Sequence, residues 1–251
     1  MIYVMSDIHG QKRRFDSVMK QINLQPEDTL YILGDVVDRY PDGIRILRRI
    51  MKMPNVKMLL GNHEYMMLEA MEKGYVLPIT AKRHSISRRQ SKEIHLWYRN
   101  GGEVTHNYLK HIRKEWRAEV FEYLRSLPLN IDIEVDGKKY KLIHGSMEED
   151  YQPMADHYNS KTEFAVWERW MPGWYVPEGY TLVFGHTPTC HFQKGEPIRI
   201  WHSDDAIGID CGCGYFDGRL ACLRLDDGME FYTEDDLKCP RAMSIADRRI
   251  M

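Results

Sequence analysis

The feature that most constrains the fold is a regular alternation of apolar runs and helix-period segments in residues 1–74. The short apolar runs predict strands, and a segment such as 11–23 places Phe15, Val18, Met19 and Ile22 on one helical face. The predicted order is strand 2–5, helix 11–23, strand 29–33, helix 42–53, strand 56–60 and helix 64–73. This β-α-β-α-β order predicts an α/β fold with a parallel sheet covered by helices.

The alternation stops between residue 74 and about residue 127, where helices are predicted over 92–98 and 105–127. We interpret this stretch as a mostly helical insertion in a single domain spanning 1–251. A basic run in it is either a solvated helix face, which is the common arrangement, or a cap that contacts an anionic substrate. The run consists of Lys82, Arg83, Arg88, Arg89, Lys92 and Arg99.

The second half of the chain is rich in predicted strands. Asp136-Gly137 is a strong hairpin signal between predicted strands 131–135 and 139–143. The residues after about 234 read as a polar tail, helical or frayed. Further strands are predicted at 181–184, 198–201, 207–209, 219–225 and 229–232.

Charge and composition exclude several classes of protein. The formal net charge is −2, so there is no global basic field to attract nucleic acid. No apolar run approaches the roughly 20 residues that span a bilayer, and the N-terminus has no signal-peptide pattern. The five cysteines, an odd number, are then expected to be reduced thiols. We predict a cytoplasmic protein without a membrane or nucleic-acid partner, and the sequence does not define its oligomeric state.

Five predicted strands end in a short polar cluster of metal-ligand type. Because the carboxyl ends of strands gather at one edge of an α/β sheet, we expect these clusters to converge. A single Asp-x-His is more often a surface turn, so the inference depends on their joint occurrence at strand ends. The clusters are Ser6-Asp7-Ile8-His9-Gly10, Gly34-Asp35-Val36-Val37-Asp38-Arg39, Gly61-Asn62-His63-Glu64, His144-Gly145 and Gly185-His186-Thr187-Pro188.

The donor types in these clusters predict the kind of metal. Carboxylates, neutral imidazoles and an amide carbonyl suit Mn²⁺, Fe²⁺ or Zn²⁺ better than Ca²⁺. Six candidates exceed the needs of one ion, and a carboxylate shared by two ions about 3.5–4 Å apart would use them all. The predicted metal ligands are Asp7, His9, Asp35, Asn62, His144 and His186.

At these residues the sequence resembles the phosphoprotein phosphatase branch of the calcineurin-like metallophosphoesterases, and among them the compact bacterial and bacteriophage lambda phosphatases. The motifs read SDIHG, GDVVDRY, GNHE, HGS and GHT. The resemblance implies a metallophosphoesterase-type β-sandwich of mixed sheets flanked by helices, with the active site at the C-terminal strand ends. Ser6, Tyr40 and Ser146 stand where the family has glycine. None of them removes a ligand, and we expect Tyr40 and Ser146 near the rim, where they would affect substrate choice.

Carried over position by position, the resemblance implies a role for each site residue. One ion would be held by Asp7 and His9, a second by Asn62, His144 and His186, and Asp35 would bridge both. Phosphate binding would fall to Arg39, to Asn62 and, from the Trp167-Glu168-Arg169 match to a W-x-R motif, to Arg169. His63 would be the general acid that protonates the leaving group, and Asp38 would orient it.

The resemblance implies two-metal hydrolysis of phosphate monoesters by a metal-bridged hydroxide, with manganese the first candidate and iron or zinc as alternatives. A serine/threonine protein phosphatase acting on a phosphorylated protein or peptide, or on a small phosphoester, is the leading hypothesis. The alternative is a symmetrical dinucleoside tetraphosphate (Ap4A) hydrolase. Asp38 favours the phosphatase, whereas the basic run favours a polyphosphate. A catalytically silent metal-binding module is the third hypothesis, and the complete motif set argues against it.

Overall fold

A computed structural model describes residues 1–74, 88–195 and 197–234. The predicted basic residues Lys82 and Arg83, and the tail after 234, lie outside these ranges. The strands are β1 Ile2–Met5, β2 Thr29–Ile32, β3 Val56–Met58, β4 Asn130–Val135, β5 Lys138–Ile143, β6 Tyr180–Phe184, β7 Trp201–His202, β8 Ala206–Gly208, β9 Ala221–Arg224 and β10 Glu230–Tyr232. The α-helices are α1 Lys12–Ile22, α2 Gly43–Ile50, α3 Asn62–Gly74, α4 Arg88–Arg99, α5 Glu103–His111, α6 Lys114–Arg125 and α7 Lys161–Trp167.

The first sheet contains the parallel strands that the sequence predicts. Its order is β10-β9-β1-β2-β3. Strands β1, β2 and β3 are parallel to one another, β9 is antiparallel to β1, and β10 is antiparallel to β9. Met5 pairs with Ile32, and Ile32 pairs with Met58, so the three parallel strands end together. The chain segments that follow β1, β2 and β3 therefore emerge at one edge of this sheet.

The second sheet has the order β4-β5-β6-β8-β7 and is also mixed. Strands β5, β6 and β8 run parallel, with Ile143, Phe184 and Gly208 in register at their ends. The hairpin between β4 and β5 turns at Asp136 and Gly137, whose φ values of 49° and 78° are those of the predicted tight turn.

Side-chain alternation along the strands joins the two sheets into a sandwich. In β2, Tyr31 points into a buried cluster between the sheets that also holds Leu142 and Val183 of the second sheet. Its neighbours Leu30 and Ile32 point to the opposite face, into the cluster that packs against the helices. The predicted fold class, mixed sheets in a sandwich flanked by helices, is confirmed.

The described part of the insertion packs onto the helix side of the first sheet. Trp97, Leu109, Val120 and Leu124 are fully buried in the same cluster as the strands of that sheet. The single helix predicted over 105–127 is wrong: it is divided into α5 and α6 at residues 112–113, where the backbone is extended. The break has a packing reason, because α5 contacts α2 whereas α6 contacts α3.

Two other sequence predictions differ from the structure. Helix α7 was not predicted, although Ser160 caps its N-terminus by accepting a hydrogen bond from the Glu163 amide at 3.0 Å. The strand predicted at 198–201 is limited to its last residue, because the Ile200 amide donates to the Tyr232 hydroxyl instead of a neighbouring strand.

Two class-level expectations can be compared with the described residues. None of their helices combines the length and apolar character needed to cross a bilayer. The four cysteines among them form no disulfide, and Cys239 lies outside the described ranges.

The hairpin turn provides a test of the fold. Gly137 has φ 78° and open space around it, so a side chain there meets backbone strain but no clash. We expect Gly137→Ala to lower the free energy of unfolding by about 1–2 kcal/mol, measured by urea denaturation. Gly137→Asn is the matched control and should lose less, because asparagine tolerates left-handed backbone. Equal stability of Gly137→Ala and the parent would contradict the turn geometry.

Candidate metal centre

The six predicted metal ligands converge at the edge where the parallel strands end. Each is buried, with side chains from 0% to 6% exposed. Two groups of donor atoms form there, one from His9, Asp35 and His63 and the other from Asp35, His144 and His186. Asp35 belongs to both groups, as a bridging carboxylate must.

The backbone around these ligands is strained in a way that aims side chains at one point. Asp7, His9, Asp35 and His186 have φ between 48° and 63°, in the left-handed region that non-glycine residues seldom adopt. Gly61 faces Asp35 so closely that a Cβ at this position would collide with the Asp35 carboxylate and amide. Strain of this kind is maintained by surrounding structure and is concentrated at functional sites.

Three imidazoles are oriented by backbone carbonyl groups. His9 Nδ1 lies 3.3 Å from Val37 O, His144 Nδ1 lies 2.5 Å from Leu33 O, and His186 Nε2 lies 3.1 Å from Trp167 O. With these nitrogens donating, the remaining lone pairs are on His9 Nε2, His144 Nε2 and His186 Nδ1. A metal-ligating histidine usually donates its other ring N–H to such a carbonyl, which fixes the orientation of the ring.

The spacing of the donor atoms fits ions rather than direct hydrogen bonds. His9 Nε2 is 3.8 Å from Asp7 Oδ1 and 3.7 Å from Asp35 Oδ2. His144 Nε2 is 3.5 Å from Asp35 Oδ1 and 3.1 Å from Asn62 Oδ1, so two lone pairs face each other there. A divalent ion about 2.0–2.2 Å from each donor would satisfy such pairs. The donor set therefore suits first-row divalent metals.

Burial sets the charge state of the site. Burial, reinforced by the carboxylates of Asp7 and Glu64, raises the pKa of Asp35 well above its usual value. Burial lowers the pKa of His9 and His186 well below the usual value, with a further contribution from nearby arginines. These shifts favour the neutral form of the two imidazoles, which is the form that binds metal, and adjacent positive charge would favour the ionised carboxylate.

An acid–base pair lies beside the shared carboxylate. His63 Nδ1 is 2.8 Å from Asp38 Oδ2, and His63 Nε2 is 3.8 Å from Asp35 Oδ2. Asp38 is completely buried, and this burial raises its pKa to about 7. Arg39 places a terminal nitrogen 3.3 Å from His63 Nε2, and its guanidinium stacks over the Tyr215 ring at 4.9 Å.

Arg169 lies on the other side of the ligand cluster. One terminal nitrogen donates to the His186 carbonyl at 2.6 Å and to Thr187 Oγ1 at 3.2 Å. The guanidinium is thus anchored at the ligand-bearing loop.

The motif departures have structural roles. Ser6 Oγ donates to Asp7 Oδ2 at 2.5 Å, and the His186 amide donates to the same oxygen at 3.0 Å. Ser146 was expected near the rim but is fully buried, with its amide bonded to Ala165 O, so that expectation is wrong. Tyr40 is partly exposed.

Two buried carboxylates, Glu64 and Asp210, received no role from the sequence, although Glu64 lies in one of the five polar clusters. Glu64 accepts the amides of Asp35 at 2.9 Å, Val36 at 2.8 Å and Val37 at 3.1 Å, and so holds the loop that carries Asp35. Its place at the end of the GNHE motif was the available signal. Asp210 has no such signal. Burial, with the Asp7 charge, raises the pKa of Asp210 well above its usual value.

Two groups of carboxylate and imidazole donors share Asp35 at the carboxyl edge of a two-sheet sandwich. This arrangement is typical of metal-dependent hydrolases with a dinuclear site. The chain belongs to the calcineurin-like phosphoesterase family, whose model matches residues 1–190. This family uses a dinuclear metal centre.

Similar proteins carry two different names. The serine/threonine-protein phosphatase 2 of Salmonella typhimurium is 28% identical over 150 residues, which cover 59% of this chain and 60% of that protein. The chain therefore matches less than two thirds of the length of this relative. A symmetrical bis(5'-nucleosyl)-tetraphosphatase of Salmonella paratyphi A is 25% identical, covering 91% of this chain and 93% of that protein.

A solved structure shows the same fold. It belongs to a protein provisionally described as a diadenosine tetraphosphatase, with a TM-score of 0.59 and 19% identity, and 92% of both chains is covered.

The support of the Asp35 loop can be tested through Glu64. We expect Glu64→Gln to lower the free energy of unfolding by about 1–3 kcal/mol, because the new amide nitrogen cannot accept a backbone N–H. Urea denaturation of the metal-free protein measures this loss. Glu72→Gln on the same helix, which removes a surface ion pair with Arg125, should cost less than about 1 kcal/mol. Similar losses in the two variants would contradict a special role for Glu64.

Proposed function

We propose that this chain is a metal-dependent phosphomonoesterase of the serine/threonine protein phosphatase type. The observation that carries the proposal is the 2.8 Å contact between His63 and Asp38 beside the carboxylate shared by both ligand groups. Two divalent ions, with manganese as the preferred metal, would be held by a ligand set that shares Asp35. Asp7 and His9 would hold one ion together with Asp35, and Asn62, His144 and His186 would hold the other. The ions, when bound, lower the pKa of water and offset phosphate charge.

Arg39 and Arg169 bind the phosphate in this mechanism, with the Asn62 amide as a further contact. A guanidinium presents a planar fork of donors that matches phosphate oxygens. Arg39 is held over Tyr215, and Arg169 is held by the His186 carbonyl. Both groups are therefore positioned before substrate arrives, which favours stabilisation of the charge that develops on the equatorial oxygens.

His63 supplies the proton that the leaving oxygen requires. Its Nδ1–H donates to Asp38, so the proton to be transferred is on Nε2, which lies 3.3 Å from the nearest Arg39 nitrogen. A phosphate bound to Arg39 would thus present its leaving oxygen beside Nε2. Asp38 keeps the imidazole in this orientation and stabilises its cationic form. General acid catalysis of this kind contributes about 10²–10⁴-fold.

Leaving-group chemistry favours a monoester over a dinucleoside polyphosphate. The alkoxide that leaves phosphoserine is a strong base and needs a proton, whereas a phosphate leaving group is a stable anion. A complete acid pair is therefore most useful for the first substrate class. The second candidate is a symmetrical Ap4A hydrolase, and the alignment of 91% of the chain with a relative of that name favours it. The complete ligand, acid and arginine set argues against a catalytically silent module.

Replacement of the bridging residue tests the two-ion arrangement. We expect Asp35→Asn to bind fewer than two Mn²⁺ per chain and to lose at least about 100-fold in kcat, because several kcal/mol of charge stabilisation depend on the ions. Metal analysis after desalting and hydrolysis of p-nitrophenyl phosphate measure the two quantities. Asp42→Asn, which changes a surface carboxylate paired with Arg45, should match the parent. Full occupancy and activity in Asp35→Asn would overturn the assignment.

A substrate comparison tests the preferred class. With Mn²⁺ present, kcat/KM for a phosphoserine or phosphothreonine peptide should exceed kcat/KM for Ap4A by about tenfold or more, a difference of about 1.4 kcal/mol. The Asp35→Asn variant serves as the control for contaminating phosphatase, because such activity would survive the substitution. Faster turnover of Ap4A would favour the second candidate instead.

A further inference from the structure

A side chain of the insertion contacts the acid pair directly. Trp97 of α4 is completely buried, and its indole Nε1–H donates to Asp38 Oδ2 at 2.8 Å. The same oxygen lies 2.8 Å from His63 Nδ1. One carboxylate oxygen thus accepts two donors, one from the catalytic imidazole and one from a helix outside the family motifs that sequence analysis identified.

The backbone of the acid segment is held by the same insertion. The Asp38 amide donates to Thr105 Oγ1 at 3.0 Å, and the Arg39 amide donates to the Gly101 carbonyl at 3.0 Å. Asp38 and Arg39 have φ of 71° and 64°, a conformation that is costly for side-chain-bearing residues. The two hydrogen bonds help to maintain this backbone, and so they set where both side chains point.

Trp97 is itself fixed in place. Gly102 lies against the indole, and a Cβ at this position would collide with the ring. The Gly102 amide donates to the Trp97 carbonyl at 3.0 Å, and the His106 ring packs at 5.6 Å between centroids. Contacts within its own segment of the insertion therefore hold the Trp97 side chain in place.

We infer that Trp97 and Thr105 are positioning residues for the acid step, acting through Asp38 on the orientation of His63. This inference rests on the function proposed above, in which His63 protonates the leaving group. A buried tryptophan often finds a hydrogen-bond partner for packing reasons alone. The two roles differ in outcome: a packing role affects stability and all substrates alike, whereas a positioning role affects the substrates that need a proton.

Trp97→Phe removes the indole donor and keeps an aromatic ring. We expect kcat for a phosphoserine peptide to fall about tenfold, part of the 10²–10⁴-fold available from a general acid. For p-nitrophenyl phosphate, whose leaving group needs little protonation, kcat should change by less than about threefold. Trp116→Phe is the matched control, because this insertion tryptophan stacks with Arg48 and Arg113 away from the acid pair. Equal losses on both substrates, or none, would overturn the inference.

A second pair of variants applies if Trp97→Phe folds poorly. Thr105→Val removes the hydroxyl that accepts the Asp38 amide, and Thr105→Ser retains it. We expect a loss in Thr105→Val that is confined to the phosphoserine peptide, and near-parent kinetics in Thr105→Ser. Identical behaviour of the valine and serine variants would contradict the positioning role of Thr105.

Indole N–H signals in NMR spectra of the metal-free protein give a readout independent of turnover. Trp97→Phe assigns the Trp97 signal, which should lie downfield in the parent, as expected for a donor to a carboxylate. Asp38→Asn should move it upfield and leave the Trp116 signal in place. An unmoved Trp97 signal would overturn the contact.

Reference variants separate this inference from the proposed function. His63→Asn and Asp38→Asn should each lose about 100-fold on the phosphoserine peptide, and adding Trp97→Phe to Asp38→Asn should cause no further loss. If the loss of kcat in both reference variants is the same for the phosphoserine peptide and for p-nitrophenyl phosphate, the assignment of His63 as the acid fails. If that loss differs between the two substrates in the reference variants but not in Trp97→Phe, only the positioning role of Trp97 is overturned.

Discussion

The crowding of buried carboxylates around Asp35 is the constraint on which the rest of the structure depends. Asp7, Asp35 and Glu64 are each no more than 2% exposed, and buried charge is costly unless it is paired or hydrogen-bonded. Backbone amides supply part of the compensation: the His63 amide donates to Asp35, the His186 amide to Asp7, and three loop amides to Glu64. A dinuclear centre of the kind that the family uses would supply the remainder as positive charge. Because such cations would bind the folded site and not the open chain, their binding would also stabilise the fold.

The ligand geometry depends on the backbone as much as on the ligands. Carbonyl groups of Leu33, Val37 and Trp167 select which nitrogen of each imidazole faces the site. Leu33 and Val37 flank Asp35 in the chain, whereas Trp167 ends a helix far from it in sequence. A displacement of that helix would therefore disturb one candidate ligand, His186, without touching the others.

The order of the strands along the first part of the chain and the convergence of the polar clusters could be predicted from sequence, because both depend on local patterns. Apolar runs define the strands, and the polar clusters at their ends contain the candidate metal ligands. The support of these ligands could not be predicted, because it is made by tertiary contacts. Asp210 follows a strand without any recognisable motif, and the indole of Trp97 reaches Asp38 across 59 positions of chain. The break between α5 and α6 could not be predicted from sequence for the same reason, because it follows from packing of the two helices against α2 and α3.

The site therefore has two parts that come from different segments of the chain. The strand ends of the two sheets carry the candidate metal ligands. The insertion contacts Asp38 through Trp97 and Thr105, and in the proposed function Asp38 orients the acid that a basic leaving group requires. Hydrolysis of a phosphate anhydride makes little demand on such an acid. Under the proposed function, changes in the insertion would therefore affect turnover of a phosphate monoester more than turnover of an anhydride.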